Sequence, residues 1–408
     1  MRVGILTYQR VCNYGANLQL LSTIGYFKKH GYIPIVINYI DESLSSFYQN
    51  NTPTIEYECF KQFWDDVLPL SKTCHNPEQI ATVLEEENIE AVIIGSDAVA
   101  QHHPLFERII FSNRTLLAVK KITRDRLFPN PFWGTFVDYL DKPIPVCQMS
   151  VSSQDSAYKL ISPRIKSQIR KRILAMAYTS VRDSWTQNMF KYITKAQVVP
   201  QITPDPVFAF NSNAYELIPS REQIIHKYNL PEKYVLFSFL NNHTVSDKWL
   251  ADIETIFLSR GIHSVSLTFP QGMGHISPFQ KRIDIPINPL DWYALIKYSN
   301  GYIGHNMHPI VVCIHNGIPF YSFDNYGTRR FNGYVVDESS SKIKHILDLA
   351  GLSQNRSSCL DRNFIPPTPE HIVNLILGFD CNSSFAFAQY YLKQYKVMMN
   401  DIIKAIAK

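Results

Sequence analysis

Short apolar strands alternate with segments of helical periodicity along both halves of the chain, and this alternation restricts the fold more than any other feature. In the first half, residues 3–8 form an apolar strand, and Leu20, Ile24 and Phe27 follow at the spacing of a buried helix face. The second half begins the same rhythm again with a strand over residues 234–239. Strands that alternate with helices build parallel sheets, so we expect an α/β fold of two Rossmann-like, doubly wound domains.

The boundary between the two domains is predicted near residue 200. The segment Thr203-Pro204-Asp205-Pro206 places two prolines between the first and the second series of strands and helices, and prolines interrupt regular structure. We therefore assign residues 1–200 to an N-terminal domain and residues 201–365 to a C-terminal domain. Residues 366–408 are predicted as C-terminal helices. The last of them is amphipathic and is expected to pack back across the domain seam, with contact to a membrane surface as the alternative.

A dinucleotide-binding fold begins with the same strand, loop and helix, but its fingerprint is missing here. That fingerprint has three glycines, which let a pyrophosphate approach the backbone. The loop over residues 11–17 contains only Gly15. The sequence therefore argues against NAD or FAD, and we expect no cofactor.

The charge balance favours an anionic small ligand over a nucleic acid. The chain has 40 basic and 35 acidic residues, a net charge of +5, which is a mild excess for a duplex-binding protein. The seven cysteines follow no repeated spacing, so we expect reduced thiols. Residues 2–8 are predicted to form a strand rather than a signal peptide, and no apolar run reaches the roughly 20 residues of a membrane span. We expect a cytoplasmic protein, in peripheral contact with the inner face of the membrane at most.

Polar residues follow several of the predicted strands directly. Ligands of doubly wound sheets bind outside the carboxyl ends of the strands. This rule is expected to gather five residues in one crevice: Gly15, Asp97, Arg182, His305 and His308. Two histidines three residues apart also suggest metal binding, but no carboxylate or cysteine completes a ligand set nearby, so we expect no metal.

Several short motifs occur in order over residues 2–325. The motifs are Asn13-Tyr14-Gly15-Ala16-Asn17-Leu18-Gln19, Ile94-Gly95-Ser96-Asp97, Ser180-Val181-Arg182-Asp183, Pro204-Asp205-Pro206, Pro289-Leu290-Asp291-Trp292, Met307-His308 and Gly317-Ile318-Pro319. This ordered set resembles the polysaccharide pyruvyl transferase family. The resemblance implies a GT-B-like arrangement with the active site between the domains, the acceptor on the N-terminal side and the donor on the C-terminal side. It also implies phosphoenolpyruvate as donor and a cyclic ketal on a sugar as product.

The chain departs from the family pattern at two positions. The closing motif of the family reads Arg-x-His, whereas here Asn306 precedes Met307-His308. The tryptophan that often follows the Gly-Ser-Asp segment is replaced by Ala100. The first change matters more, because that arginine is expected to hold the donor.

The donor site implied by the resemblance contains Arg182, Asn306 and Met307. Arg182 is the candidate clamp for the carboxylate or phosphate of the donor, because a guanidinium matches planar anions. The alternative is a salt bridge from Arg182 to Asp183 or Asp205. If the donor is phosphoenolpyruvate, another cation has to replace the missing arginine, and the candidates near loop positions are Lys248, Arg329 and Arg330.

His308 and Asp97 are the candidate catalytic residues. Histidine has a pKa near neutrality, which suits a general acid that protonates the enol carbon of the donor. Asp97 would accept the proton of the attacking sugar hydroxyl. The structural alternatives are a neutral histidine that caps a helix and an aspartate in a turn after a strand.

The acceptor side of the site is assigned to the first loop. Asn13, Tyr14, Gly15 and Asn17 are expected to bind the glycan or lipid-linked oligosaccharide, with a plain helix cap at Asn13 as the alternative. Two other functions stay open: a nucleotide-sugar glycosyltransferase on the same scaffold, and a glycan-binding relative without activity. The basic run over residues 164–172 alternates with isoleucines, so it predicts a half-buried helix and not a nucleic-acid site.

Overall fold

The computed structural model describes residues 1–110, 118–240, 244–269, 278–330 and 335–407. Strands of the first half are β1 (Arg2–Leu6), β2 (Ile33–Val36), β3 (Ala91–Asp97), β4 (Ile109–Ile110), β5 (Ala118–Val119), β6 (Val146–Val151), β7 (Tyr178–Val181) and β8 (Gln201–Ile202). Strands of the second half are β9 (Tyr234–Ser238), β10 (His263–Leu267), β11 (Lys281–Ile283), β12 (Gly301–Gly304), β13 (Phe320–Asp324), β14 (Thr328–Arg330), β15 (Val335–Asp337) and β16 (Arg356–Ser358).

Helices lie between these strands throughout the described ranges. In the first half they are α1 (Tyr14–Lys29), α2 (Glu42–Asn51), α3 (Thr54–Val67), α4 (Pro77–Glu86), α5 (Pro163–Ala175) and α6 (Ser184–Ile193). They continue as α7 (Phe210–Asn213), α8 (Arg221–Tyr228), α9 (Asp247–Leu258), α10 (Pro289–Lys297), α11 (Met307–Asn316), α12 (Lys342–Ala350), α13 (Pro369–Leu377) and α14 (Cys381–Ile406).

Two six-stranded parallel sheets form the body of the described chain, in the orders β2-β1-β3-β6-β7-β8 and β11-β10-β9-β12-β13-β16. The α/β alternation in both halves is therefore confirmed. Strands β3 and β9 are buried along their whole length, as expected for strands with helices on both faces. The short pairs β4-β5 and β14-β15 are antiparallel and lie outside the two sheets.

Helix starts follow the capping residues in the sequence. The side chains of Asn13, Asp183 and Asn288 each accept a backbone N–H of the helix that follows them, which satisfies one of the donors left open in a first turn. These caps fix where α1, α6 and α10 begin, and α1 begins at the edge of the first sheet where β1 ends.

Helix α11 forms from a β-branched run that favours a strand on propensity alone. It extends to Asn316 and ends at Gly317 in the left-handed conformation with φ of 67°, which glycine adopts without strain. The helix begins two residues before Pro309, so His308 lies in its first turn. Tertiary packing prevails over propensity here, because the valines and isoleucines of α11 are buried.

Helix α14 packs across both halves of the molecule. It contacts β6 and β7 of the first sheet and also α11 of the second half. Ser384 Oγ donates to the carbonyl of Ile314 at 2.9 Å, and Asn213 Nδ2 donates to Tyr395 Oη at 3.2 Å. The apolar face of α14 is thus covered by protein in this structure.

Candidate active site

A cavity of about 280 Å³ lies where the carboxyl ends of the two sheets face each other; we call it the cleft. Its lining comes from both halves, and the residues used below are Asn13, Tyr14, Gly15, Asp97, Arg126, Gln154, Asn306, Met307, His308, Tyr326 and Lys342. The rule that places ligands at the carboxyl ends of parallel strands therefore points to this cleft.

Gly15 and His308 touch across the cleft, and only a glycine permits the contact. A Cβ built on Gly15 would lie 2.0 Å from His308 Nδ1 and 2.1 Å from its Cγ. Any side chain at this position would displace the imidazole ring. The glycine of the first loop, in the first half, thus sets where the histidine of the second half can sit.

Four ionisable side chains form a chain of contacts beneath the cleft. Arg182 Nη1 donates to Asp205 Oδ2 at 2.7 Å, and Arg182 Nη2 lies 3.4 Å from Asp97 Oδ1. His308 Nε2 lies 3.6 Å from the same Asp205 oxygen. The guanidinium of Arg182 thus lies between the two carboxylates, which compensates their buried charge.

Asp205 is held ionised in this position. Burial by itself raises the pKa of this carboxyl group, but His308 and Arg182 outweigh burial and hold the pKa below its usual range. Gln19 Nε2 donates to Oδ2 at 2.5 Å and the Val207 N–H donates to Oδ1 at 2.9 Å. Asp205 is thus an ionised carboxylate whose Oδ2 lies 3.6 Å from the imidazole of His308.

Arg182 does not lie where the donor clamp was expected. Its side chain is 1% exposed and is paired with Asp205 and Asp97, and it is not part of the cleft lining. The salt bridge to Asp205, which was the structural alternative, is the contact present. The guanidinium of Arg182 therefore lies between two carboxylates of its own chain and outside the cleft lining.

Two cations that the sequence analysis missed line the cleft within the described ranges. Lys342 is the first residue of α12, and Arg126 ends a short 3₁₀ turn over Arg124–Arg126. The sequence carries a weak signal for Lys342, because a helix dipole disfavours a cation in the first turn and Ser341 already caps the helix. Both cations therefore give the cleft positive charge that Asn306 does not supply.

Lys342 is 7% exposed, and its ammonium lies 5.8 Å from the centre of the Tyr326 ring. Burial, with a smaller contribution from the neighbouring Arg182, lowers the pKa of Lys342 to about 8. An anion bound in the cleft would therefore stabilise the charged form of this lysine.

The backbone of two cleft residues is held in an uncommon conformation. Asp97 has φ of 90° and Asn306 has φ of 77°, a region that residues other than glycine rarely adopt and that is enriched at functional sites. The Asn306 side chain makes no capping hydrogen bond to α11. The first N–H groups of α11 therefore receive no hydrogen bond from this side chain, and such groups can bind an anion. Met307, the first residue of α11, packs into the core.

The residues assigned to the acceptor differ in their surroundings. Asn13 caps α1 and lines the cleft. Tyr14 also lines it, stacks on Trp292 with 5.1 Å between ring centroids, and donates its hydroxyl to Glu56 at 2.5 Å. Asn17 lies below the cleft, fully buried, and accepts from Trp64 Nε1 at 2.9 Å, so it supports α1 and does not line the cleft.

The cations proposed to replace the missing arginine lie elsewhere or outside the description. Lys248 is exposed on α9 and is not part of the cleft lining. Arg329 and Arg330 belong to β14, and their side chains lie outside the described residues.

His305 is buried under the second sheet and does not line the cleft. Its Nδ1 accepts the Leu240 N–H at 2.8 Å and its Nε2 lies 3.1 Å from Thr244 Oγ1, so both ring nitrogens have partners. Burial lowers the pKa of His305 to about 4. The two histidines of the segment therefore have different environments, and only His308 faces the cleft.

Two facing doubly wound sheets, with a histidine and cations in the cleft between them, define a GT-B-like α/β protein. The fold has solved counterparts at low identity. The UDP-GlcNAc 2-epimerase from Methanocaldococcus jannaschii has a TM-score of 0.51 at 10% identity, covering 96% of this chain and 100% of that one. UDP-N-acetylglucosamine 2-epimerase from Rickettsia bellii has a TM-score of 0.50 at 11% identity, covering 100% and 97%. These likenesses concern the fold alone.

The chain belongs to the polysaccharide pyruvyl transferase family, whose family model matches residues 13–328. The family implies a transferase. A comparison of the sequence with curated proteins finds no significant match. In the part of the chain that the structure describes, no helix is both long and apolar enough to cross a membrane.

Proposed function

We propose that this protein transfers the pyruvyl group of phosphoenolpyruvate to hydroxyls of a glycan during the synthesis of a bacterial surface polysaccharide, in the cytoplasm. The observation that carries the proposal is the placement of His308. Its imidazole is held between Gly15 and the ionised Asp205, at a cleft that also contains Lys342. This combination suits a small dianion that has to be protonated on carbon.

The donor is proposed to bind between Lys342, Arg126 and the first turn of α11. Phosphoenolpyruvate carries a phosphate and a carboxylate, and both groups are stabilised by cations and by helix N-termini. Lys342 supplies a compact positive charge and Arg126 a planar one. These groups offset the absence of a charge at Asn306, whose amide can still donate a hydrogen bond.

His308 is proposed to protonate the methylene carbon of the donor, with Asp205 stabilising the imidazolium through Nε2. The proton makes C2 of the donor electrophilic, and a sugar hydroxyl attacks C2 as Asp97 accepts its proton. Phosphate leaves with the bridging oxygen. A second hydroxyl of the same sugar then closes the ketal and releases its own proton. No cofactor is needed, because the donor supplies the leaving group.

The acceptor sugar is proposed to enter beside Asp97, Asn13 and Tyr14, on the face of the cleft that belongs to the first half. The acceptor is a glycan, free or linked to a lipid, and its reacting hydroxyls lie close to the Asp97 carboxylate. Gly15 leaves room for His308, because it has no side chain. The donor and the acceptor can therefore meet at this position.

The test is the release of inorganic phosphate from phosphoenolpyruvate with candidate glycans, together with calorimetric titration of phosphoenolpyruvate alone. His308→Gln and Asp97→Asn are each expected to lower kcat by about 10²- to 10⁴-fold, the usual contribution of a general acid or base. His371→Gln, at an exposed position on α13, is the matched control and is expected to leave kcat unchanged. Phosphoenolpyruvate that fails to bind while a uridine nucleotide binds the second half would contradict the proposal in favour of a nucleotide-sugar glycosyltransferase. Binding without turnover on any glycan would favour a glycan-binding relative.

A further inference from the structure

A second and larger cavity, of about 1030 Å³, opens beside the cleft and shares Arg126 and Gln154 with it. We call it the side groove. Its lining is His103, Glu107, Arg108, Lys120, Ile122, Arg126, Gln154, Asp155, Ala157, Tyr158, Lys159, Leu160, Trp185, Gly327, Asp337 and Ser339. Small-molecule sites measure about 300 to 1,000 Å³, so the side groove has room for a ligand larger than a single metabolite.

Two guanidinium groups of the side groove have unmet hydrogen-bonding capacity. The Nε atoms of Arg108 and Arg126 are buried and have no hydrogen-bond partner in the part of the chain that the structure describes. Buried donors of this kind are costly to leave unpaired, and a guanidinium prefers a carboxylate or phosphate. Arg126 also lines the cleft, where it is assigned to the donor, so Arg108 is the arginine that remains for an anionic group of a ligand in the groove.

Two of the three acidic residues in the lining, Glu107 and Asp337, are hydrogen-bonded within their own chain, and the third is Asp155. Glu107 Oε1 lies 2.7 Å from His103 Nδ1, and Glu107 Oε2 accepts the Ala157 N–H at 3.0 Å. Asp337 Oδ1 accepts the Ser339 N–H at 3.0 Å. The cations Lys120 and Lys159 line the same groove, so its electrostatic balance favours a negative ligand.

An aromatic pair gives the side groove an apolar surface. Trp185 and Tyr158 lie edge to face, with ring centroids 5.1 Å apart. Trp185 Nε1 donates to the carbonyl of Ser156 at 3.1 Å, which fixes the indole. Rigid aromatic rings beside a few polar groups are typical of pockets that bind ring-shaped ligands.

The passage from the side groove into the cleft is marked by Gln154, which has φ of 53°. A residue other than glycine in this region is uncommon, and such positions cluster at ligand sites. Gln154 and Arg126 belong to both linings, so a long ligand can occupy the groove while its end reaches Asp97 in the cleft.

From these contacts we propose that the side groove binds the non-reacting part of an acidic oligosaccharide acceptor, with a uronic acid carboxylate on Arg108. The inference rests on the proposed transfer to a glycan, and it names the acceptor class: an oligosaccharide of several residues that carries negative charge outside the residue that receives the pyruvyl group. The sugar rings lie along Trp185 and Tyr158.

The test is calorimetric titration of the full chain with tetragalacturonate, and with maltotetraose as the neutral counterpart. Tetragalacturonate is expected to bind more tightly. Arg108→Gln is expected to raise its Kd by about 10- to 100-fold, the value of one hydrogen bond to a charged group. Lys121→Gln removes an equal charge from an exposed position outside the lining, and it is expected to leave Kd nearly unchanged. Neither variant should alter the affinity for phosphoenolpyruvate.

Three results would overturn the inference: equal affinity for the two tetrasaccharides, equal effects of the two variants, or binding of pyrophosphate in place of tetragalacturonate. Loss of phosphoenolpyruvate binding is a separate result. Tetragalacturonate that binds through Arg108 while phosphoenolpyruvate does not bind at all would support the groove and count against the proposed donor.

Discussion

Replacing Gly15 by alanine places one methyl group against the imidazole of His308. The new Cβ would lie 2.0 Å from Nδ1, and ordinary contact begins near 3.4 Å, so the ring has to retreat by about 1.4 Å. The Nδ1 and Cγ atoms lie near the base of the side chain, and a rotation that relieves them carries Nε2 away from Asp205. Misplacing a reacting group by about 1 Å can lower the rate by about 10²-fold. We expect kcat for phosphate release to fall by that factor.

The same variant is expected to lower the free energy of unfolding by about 1 to 3 kcal/mol, the usual cost of overpacking. Gly4→Ala is the control. Its Cβ would lie 3.0 Å from Ile37 Cδ1 in the core of the first half, so it should lower the melting temperature with little effect on kcat. A folded Gly15→Ala enzyme with the kcat of the unaltered protein would show that the position of His308 does not matter, and would refute the reasoning.

Further predictions concern the charges around the cleft. Lys342→Gln is expected to raise the Kd for phosphoenolpyruvate by about 10- to 100-fold, whereas Lys344→Gln, on the same helix but outside the cleft lining, should not. Because the pKa of Lys342 is about 8, affinity should also fall as pH rises through 8, and calorimetry of a Lys342→Arg variant should show no such fall.

Asp205→Asn leaves a buried guanidinium short of a partner and is expected to lower the free energy of unfolding by about 3 to 5 kcal/mol at pH 7, measured with urea. The pKa of Asp205 is depressed in the folded protein. The stability that its ionisation contributes is therefore fully present above the pKa of about 4 that an aspartate has in the unfolded chain, and it is lost as pH falls through the pKa in the folded protein. The gap between variant and unaltered protein should therefore shrink in acid.

Burial raises the pKa of Glu56 to about 7. The stability that the protonated Glu56 contributes is therefore fully present below the pKa of this group in the unfolded chain, and it is lost as pH rises through 7. The free energy of unfolding, measured with urea, should differ less between pH 5 and pH 8 for Glu56→Gln than for the unaltered protein.

The fold was predictable because the alternation of strands and helices is a local pattern that tertiary packing preserves. The edge of the sheets that holds the candidate site was predictable for the same reason, since Asp97 ends β3 and His308 lies four residues after β12. For Arg182 the sequence left a donor clamp and a salt bridge to Asp183 or Asp205 open, and only the folded chain shows that Asp205 accepts its guanidinium at 2.7 Å.

Lys342 illustrates the other limit of prediction from sequence. It lies 34 positions after His308, beyond an antiparallel pair of short strands, and no strand leads directly into it. Only the folded chain brings it into the lining of the cleft and buries it there. A cation in the first turn of a helix was the single local sign.

The three residues in contact, Gly15, Asp205 and His308, come from both halves of the molecule. The histidine is carried by the second sheet, while the glycine and the aspartate that hold it belong to the first. In the proposed reaction, a separation of the halves would therefore remove Asp205 from His308. Phosphoenolpyruvate would then be protonated only when both halves meet around it.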